Sequence, residues 1–173
     1  MEELTQTPYK TEIAHLEDLK GYVGKEIGLT EWVQITQEMI NQFGELTGDT
    51  QWIHTDVEKS RQHSPYKTTV AHGFMILSMA SKFCYETCTI ADIAMGVNYG
   101  LDRVRVPNAT PVDSFVRGRV SLLEFEAFEG GAKYKMHILF EIKGQEKPAV
   151  VAEFIGMGYT KPGWDERKIT FGK

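Results

Sequence analysis

The sequence has few cysteines, no long apolar run and no excess of positive charge. Its only cysteines, Cys84 and Cys88, are too few for a disulfide framework or a closed zinc site. The longest apolar stretch, Val70–Ala80, is interrupted by His72 and Ser78 and is far shorter than the ~20 residues of a transmembrane helix. Nineteen basic and twenty-four acidic residues give a net charge of −5, which predicts no overall attraction to nucleic acid or to an anionic membrane.

The sequence also lacks signals for export and for dinucleotide binding. Residues Met1–Lys10 contain no basic segment followed by an apolar one, so we expect a cytoplasmic protein with reduced cysteines. No glycine-rich loop of the dinucleotide-binding kind follows a predicted strand. We therefore expect no metal, no redox cofactor, no nucleic-acid partner and no membrane partner.

Length and composition favour one globular domain. A chain of 173 residues can bury roughly 70% of its unfolded surface. Its 42% hydrophobic and 25% charged residues are typical of folded proteins, and no repeat or linker divides the chain. The sequence predicts a single domain over residues 1–173, with a core at about 16–160 and a polar leader and tail.

Hydrophobic spacing predicts a strand and a helix in the first third of the chain. Apolar residues alternate over Leu29–Ile35, which is typical of a strand. Thr36 is a suitable N-cap for a helix over Gln37–Thr47, and Gly48 would end that helix. Before the strand, short helical turns are predicted around His15–Gly21.

A buried helix and a group of strands are predicted to follow. The polar segment Asp49–Thr69 predicts a loop with short irregular helix. Phe74–Thr87 is apolar on nearly every side, which is typical of a helix enclosed by the rest of its domain. Alternating segments then predict an antiparallel meander of four strands, Val97–Val106, Val112–Phe125, Lys133–Ile142 and Ala149–Tyr159. This order predicts an α+β fold in which an antiparallel sheet wraps around one long central helix.

Two ionisable residues lie on either side of a predicted turn. On one continuous helix Asp49 and His54 would be ~140° apart, so they meet only if the chain turns after Gly48. Such a turn would give a paired acid and base for proton transfer. Gly73 begins the apolar helix, where free backbone N–H groups can stabilise an oxyanion. The alternative is that Asp49 caps the next turn and His54 is a buried polar residue.

Several motifs resemble those of one family. Thr47–His54 (TGDTQWIH) and Ala71–Phe74 (AHGF) resemble the hydratase signature of the MaoC-like dehydratases, the R-specific enoyl-CoA hydratase branch of the hot-dog fold, nodulation protein N type. The resemblance extends over Leu16–Tyr159 and includes Asn98–Val106 and Pro111-Val112. It implies a hot-dog fold and a homodimer with one continuous sheet. It also implies reversible hydration of trans-2-enoyl thioesters to (R)-3-hydroxyacyl thioesters, with coenzyme A or phosphopantetheine only as part of the substrate.

Site residues follow from the resemblance by position. Asp49 and His54 match the catalytic pair, Gly73 matches the backbone donor to the thioester carbonyl, and Ser81 matches a serine that supports the site. His72 has the residue type of the family, and we interpret it as structural.

One departure from the family concerns the pocket mouth. The more familiar pattern has Asn-Pro where this chain has Gln51-Trp52, and Trp52 is large enough to reshape the pocket or to serve in packing. Cations that would suit the phosphates of the acyl carrier alternate on two predicted strands, and the alternative is that they belong to a solvated outer sheet face: Arg103, Arg105, Arg117 and Arg119.

Two other functions stay open from the sequence. One is a hot-dog thioesterase, many of which, as the resemblance implies, carry a catalytic acid on the central helix. Here that helix has no acidic residue before Glu86. The other is a non-catalytic protein that binds acyl thioesters or regulates a partner.

Overall fold

A computed structural model of the chain describes residues 6–161, which form a curled sheet around a helix. The ends of the predicted leader and tail, 1–5 and 162–173, lie outside the described residues. The strands are β1 (Tyr9–Ile13), β2 (Glu26–Leu29), β3 (Val33–Gln34), β4 (Cys88–Ile90), β5 (Ile93–Arg105), β6 (Phe115–Phe128), β7 (Gly131–Ile142) and β8 (Val150–Thr160). The sheet order is β4-β1-β2-β6-β7-β8-β5, with β3 paired to β6. The predicted α+β architecture is confirmed.

The helices precede most of the sheet along the chain. They are a 3₁₀ helix (Leu16–Tyr22), α1 (Gln37–Thr47), α2 (Trp52–Thr55), α3 (Val57–His63), α4 (Gly73–Ser78) and α5 (Ala80–Thr87). The bounds of α1 are those predicted, because Thr36 Oγ1 accepts a hydrogen bond from Met39 N–H and Gly48 adopts a left-handed φ of 78°. Within the described residues no helix combines the length and apolar character needed to span a membrane.

The central helix has a break that the sequence did not predict. α4 and α5 follow each other around Met79, whose N–H donates to the carbonyls of Ile76 and Leu77, a tightened turn inside the apolar run. α5 packs on the inner face of the sheet, where Phe83 lies against Gly118 of β6. A Cβ at Gly118 would lie 2.5 Å from the Phe83 ring, so glycine is what allows this close contact.

The strand order differs from the predicted meander. β6, β7 and β8 are consecutive and antiparallel, but β5 pairs with β8 at the edge of the sheet rather than with β6. The predicted strand Leu29–Ile35 is interrupted after Leu29, because the Thr30 hydroxyl accepts a hydrogen bond from Gly118 N–H. The short strands β1 and β4, which pair in parallel, were not predicted.

Candidate active site

The candidate site lies where α1 ends and where α2 and α4 meet. Gly48 turns the chain out of α1, Asp49 follows, and α2 carries His54 back toward the start of α4. One ligand atom each from Asp49, His54 and His72 lie within 4.8 Å of one another. The structure therefore brings the predicted acid and base together across the predicted turn.

The His54 imidazole is buried and held in one tautomer. Its Nδ1–H donates to the Val70 carbonyl at 2.6 Å, because a carbonyl oxygen can only accept. Nε2 is therefore left with its lone pair. Burial lowers the pKa of His54, the Val70 carbonyl partly offsets this, and the neighbouring His72 lowers it further. The imidazole is neutral at pH 7 and can accept a proton.

His72 supports both members of the pair. Its Nε2–H donates to the Asp49 backbone carbonyl at 2.8 Å, and its ring stacks on His54 with centroids 3.8 Å apart. The Phe43 ring also packs against His72, at 5.1 Å. These contacts agree with the structural role interpreted from the sequence.

Gly44 of α1 was not identified from the sequence, although it shapes the same turn. A Cβ at this position would lie 2.9 Å from the Asp49 carbonyl oxygen and 3.5 Å from His72 Cε1. A glycine in the middle of a predicted helix is the signal that could have indicated such a close approach. The absence of a side chain at Gly44 lets the Asp49 turn pack directly on the helix.

The Asp49 carboxylate faces solvent, in contrast to His54. Its side chain is 55% exposed, and Oδ2 lies 4.0 Å from His72 Nε2. The Asp49 carboxylate is therefore accessible from solvent, while the two imidazoles beside it are buried.

Gly73 is the first residue of α4, and its N–H has no acceptor within the helix. Its φ is not in the left-handed region, so backbone conformation does not require glycine here. Space is the tighter constraint, since a Cβ would lie 3.0 Å from Val106 Cγ2. The placement is compatible with the predicted close approach of a carbonyl group.

Ser81 is the second residue of α5. Its Oγ accepts a hydrogen bond from Asn98 Nδ2 at 2.8 Å, a partner that the sequence did not indicate. Both residues line a cavity of about 230 Å³ between α5 and strands β5, β7 and β8. The other lining side chains are mostly apolar and include Cys84, Cys88, Tyr134, Met136 and Phe154.

The cavity thiols are held in their protonated form. Burial raises the pKa of Cys84 to about 12 and that of Cys88 to about 11. They contribute small, weakly polar surface to the cavity.

Two of the four predicted rim cations are engaged elsewhere. Arg117 is fully buried, with Nε donating to Glu141 at 2.6 Å and the guanidinium over the Trp32 ring at 4.4 Å. Arg119 donates to Glu141 and to both carboxylate oxygens of Glu26. These carboxylates make Arg117 and Arg119 part of a network on the outer sheet face, so the expectation that they bind a carrier phosphate is wrong.

The other two rim candidates lie on β5. Arg103 is 84% exposed and lies 3.6 Å from a Glu153 oxygen, while Arg105 is exposed and donates to the Val104 carbonyl. Arg105 directly precedes Val106, the residue that packs over Gly73.

The stacked imidazoles are poorly arranged for a shared metal ion. The lone pairs of His54 and His72 lie in nearly parallel ring planes, and Nδ1 of the first and Nε2 of the second are bonded to carbonyl oxygens. The nitrogens that make these bonds are therefore not available to a metal ion, and the expectation of a metal-free site stays a prediction.

Comparison with known proteins gives the family. A sequence profile described as "MaoC like domain" matches residues 18–137, more than half of the chain. The 3-hydroxyacyl-thioester dehydratase Z of Mycobacterium tuberculosis is 40% identical over 139 residues, which cover 80% of this chain and 91% of that protein. Nodulation protein N of Rhizobium leguminosarum bv. viciae is 36% identical over 143 residues, covering 81% and 88%.

Solved structures support the hot-dog architecture. A MaoC-like dehydratase from Rhodospirillum rubrum superposes with a TM-score of 0.69 at 17% identity, covering 86% of this chain and 98% of that one. An (R)-hydratase from A. caviae gives a TM-score of 0.58 at 15% identity, covering 73% and 89%. Profile match, sequence identity and fold agree, and on this evidence the chain belongs to the MaoC-like family of hot-dog dehydratases and hydratases.

Proposed function

We propose that this enzyme adds water reversibly to trans-2-enoyl thioesters and forms (R)-3-hydroxyacyl thioesters. The observation that carries the proposal is the buried His54, which has a ring nitrogen within 4.8 Å of an Asp49 carboxylate oxygen and an Nδ1–H held by the Val70 carbonyl. The name of the mycobacterial relative, a 3-hydroxyacyl-thioester dehydratase, supports the substrate class.

The chemistry follows from the positions of these groups. Asp49 and His54 hold the water, remove one proton from it as its oxygen bonds to C3, and return one proton to C2. Negative charge develops on the thioester oxygen during this addition, and the N–H of Gly73, which has no acceptor within α4, is the donor that would stabilise it. No proton or electron is left over, so the reaction needs no redox cofactor. Coenzyme A or phosphopantetheine enters only as part of the substrate.

We further propose that the cavity beyond Ser81 takes the acyl chain. Its lining is mostly apolar, and Ser81 is the lining residue nearest in sequence to Gly73. The volume of the cavity is about 230 Å³. Ser81 and Asn98 would then hold the entrance of the chain in place.

We also propose that the enzyme is a cytoplasmic homodimer. The free Cys84 and Cys88 agree with a reducing cytoplasm. A homodimer is supported by β5, a long strand at the edge of the described sheet, where Tyr99 and Leu101 are exposed.

A thioesterase is less well supported. Glu86, the first acid of the central helix, is bound to Lys82 at the far end of α5 from Gly73. It is therefore not placed to attack a thioester whose carbonyl lies at Gly73.

Purified protein with crotonyl-CoA distinguishes these functions. Hydration removes the absorbance of the conjugated enoyl thioester and releases no thiol, whereas hydrolysis releases free coenzyme A in proportion. Binding alone changes neither signal at catalytic protein concentration. The proposal fails if free thiol appears at the rate of absorbance loss, or if enoyl thioesters of several chain lengths stay unchanged.

A further inference from the structure

The side chain of Gln37 joins the two chain segments that hold His54. Its Nε2 donates to the backbone carbonyl of His54 at 2.7 Å, and its Oε1 accepts from Thr69 Oγ1 at 2.5 Å. Nε2 also donates to Asn41 Oδ1 at 2.8 Å. Both amide protons and the amide oxygen are therefore used.

The same two segments make the bond that fixes the His54 tautomer. His54 Nδ1–H donates to the Val70 carbonyl, and Val70 N–H donates back to the Ile53 carbonyl at 3.1 Å. Thr69 precedes Val70 and is fully buried, so water cannot replace its bond to Gln37. Gln37 thus bridges the α2 turn and the 69–70 segment beside the ring.

We propose that Gln37 is a positioning residue that sets the orientation of the His54 imidazole, an inference that rests on the proposed hydration reaction. The position needs one acceptor and two donors at the end of a side chain of this length. Only the amide of glutamine supplies all three. A carboxylate has the same shape, but it would place an acceptor against the His54 carbonyl.

Gln37→Glu is therefore the sharpest variant. We expect kcat for crotonyl-CoA hydration to fall by about tenfold to a hundredfold, with little change in KM, because a small misplacement of a catalytic group costs about this much. A second readout is the ¹⁵N NMR pattern of the His54 ring, assigned by its loss in His54→Ala. We expect the pattern of a protonated Nδ1 in the wild type and its loss or averaging in Gln37→Glu.

Gln42→Glu is the matched control. Gln42 lies on the same helix, is exposed, and donates to Glu38 on the surface. The Gln42→Glu substitution introduces the same negative charge as Gln37→Glu, but it does not touch the two chain segments that hold His54. We expect wild-type kcat, KM and His54 signals.

Substitutions at Thr69 test the other end of the bridge. Thr69→Val keeps the shape and removes the hydroxyl, so it should lower kcat and disturb the His54 signal without changing Gln37. Thr69→Ser keeps the hydroxyl and should restore both. If Gln37→Glu does not fold, the Thr69 pair decides the question.

Two results would overturn the inference. One is a folded Gln37→Glu protein with wild-type kcat and an unchanged His54 signal. The other is a loss of kcat while the His54 signal stays as in the wild type. Failure of the proposed function is separate: a wild type that hydrates no enoyl thioester removes the reaction, while the NMR comparison still shows whether Gln37 orients the ring.

Discussion

The contrast between a buried imidazole and an exposed carboxylate makes Asp49 and His54 separately testable. General acid–base groups typically contribute ~10²–10⁴ in rate, so Asp49→Asn and His54→Ala should each lower crotonyl-CoA hydration by ~10² or more. The exposed Asp49 should be replaceable without loss of stability. Rate and circular dichroism should be measured together. Near wild-type hydration by both folded variants would show that the pair is wrongly assigned.

The environment of His54 also predicts a pH dependence. Because burial lowers its pKa below the ordinary 6.5, the neutral base should persist to below pH 6.5. The acidic limb of kcat/KM should therefore lie below that pH. Unfolding exposes an imidazole that binds a proton more readily, so the free energy of unfolding should decrease as pH falls below about 6.5. Thermal unfolding at pH 5.5 and 7.5 checks this, with His54→Gln expected to weaken the dependence. An acidic limb above pH 7 would contradict it.

At Gly73 the structure distinguishes two reasons for a glycine, backbone conformation and lack of space for a side chain. The φ angle is ordinary, but an added Cβ meets Val106, so Gly73→Ala should fold normally and Gly73→Val should be more crowded. If a thioester carbonyl approaches this N–H, turnover should fall in steps, to ~10²–10³ below wild type for valine. Thermal unfolding beside turnover is the measurement.

A substitution at Val106 is the control for the Gly73 variants. If the Gly73 variants act only by pushing Val106 aside, then adding Val106→Ala to Gly73→Ala should restore turnover. Full turnover in a folded Gly73→Val protein would remove Gly73 from the site.

Among the elements, α1 offers a test of how a helix can shape a catalytic turn. Alanine at a helical glycine usually stabilises a protein by ~0.4–1 kcal/mol. At Gly44 we expect the opposite, lower turnover and a lower melting temperature, because the new Cβ would push the Asp49 carbonyl. Gly21→Ala, which meets no atom within 4 Å, is the control. A more stable, fully active Gly44→Ala protein would show that the turn adapts.

Periodicity predicted the elements whose burial is regular, and missed those set by distant partners. α1 was predicted with its caps because Thr36 and Gly48 are local signals. The break after Leu29 depends on a hydrogen bond between Thr30 and Gly118, which are far apart in the chain. The pairing of β5 with β8 was not predicted, because alternation indicates a strand but does not identify its neighbour in the sheet.

In the candidate site, too, the features with local signals were predicted and those that depend on distant residues were missed. The turn at Gly48 was predicted from a local signal, and the approach of Asp49 to His54 was one of the two alternatives that the sequence left open. Gln37 was not identified, because a glutamine in the first turn of a helix looks like any solvent-exposed residue. Its bonds to His54 and Thr69 exist only once three separate segments have packed together.

For the whole molecule, the position of β5 at an edge of the sheet formed by residues 6–161 predicts association. We expect light scattering to give about twice the 19.6 kDa chain mass at micromolar concentration, because an exposed edge strand with apolar side chains favours pairing. Leu101→Lys on β5 should shift the equilibrium toward the monomer. Leu46→Lys, at an exposed leucine of α1, should not. A 19.6 kDa species throughout a dilution series would contradict the dimer.

The two partly buried thiols of the cavity beside α5 have a consequence for the chemical stability of the protein. An enoyl thioester is an electrophile at C3, and thiolates add to such carbons to form stable thioethers. Because burial raises the pKa of Cys84 to about 12 and that of Cys88 to about 11, both thiols stay protonated at pH 7. Both sulfurs are therefore poor nucleophiles, and the cavity should resist alkylation by small electrophiles such as an unsaturated thioester.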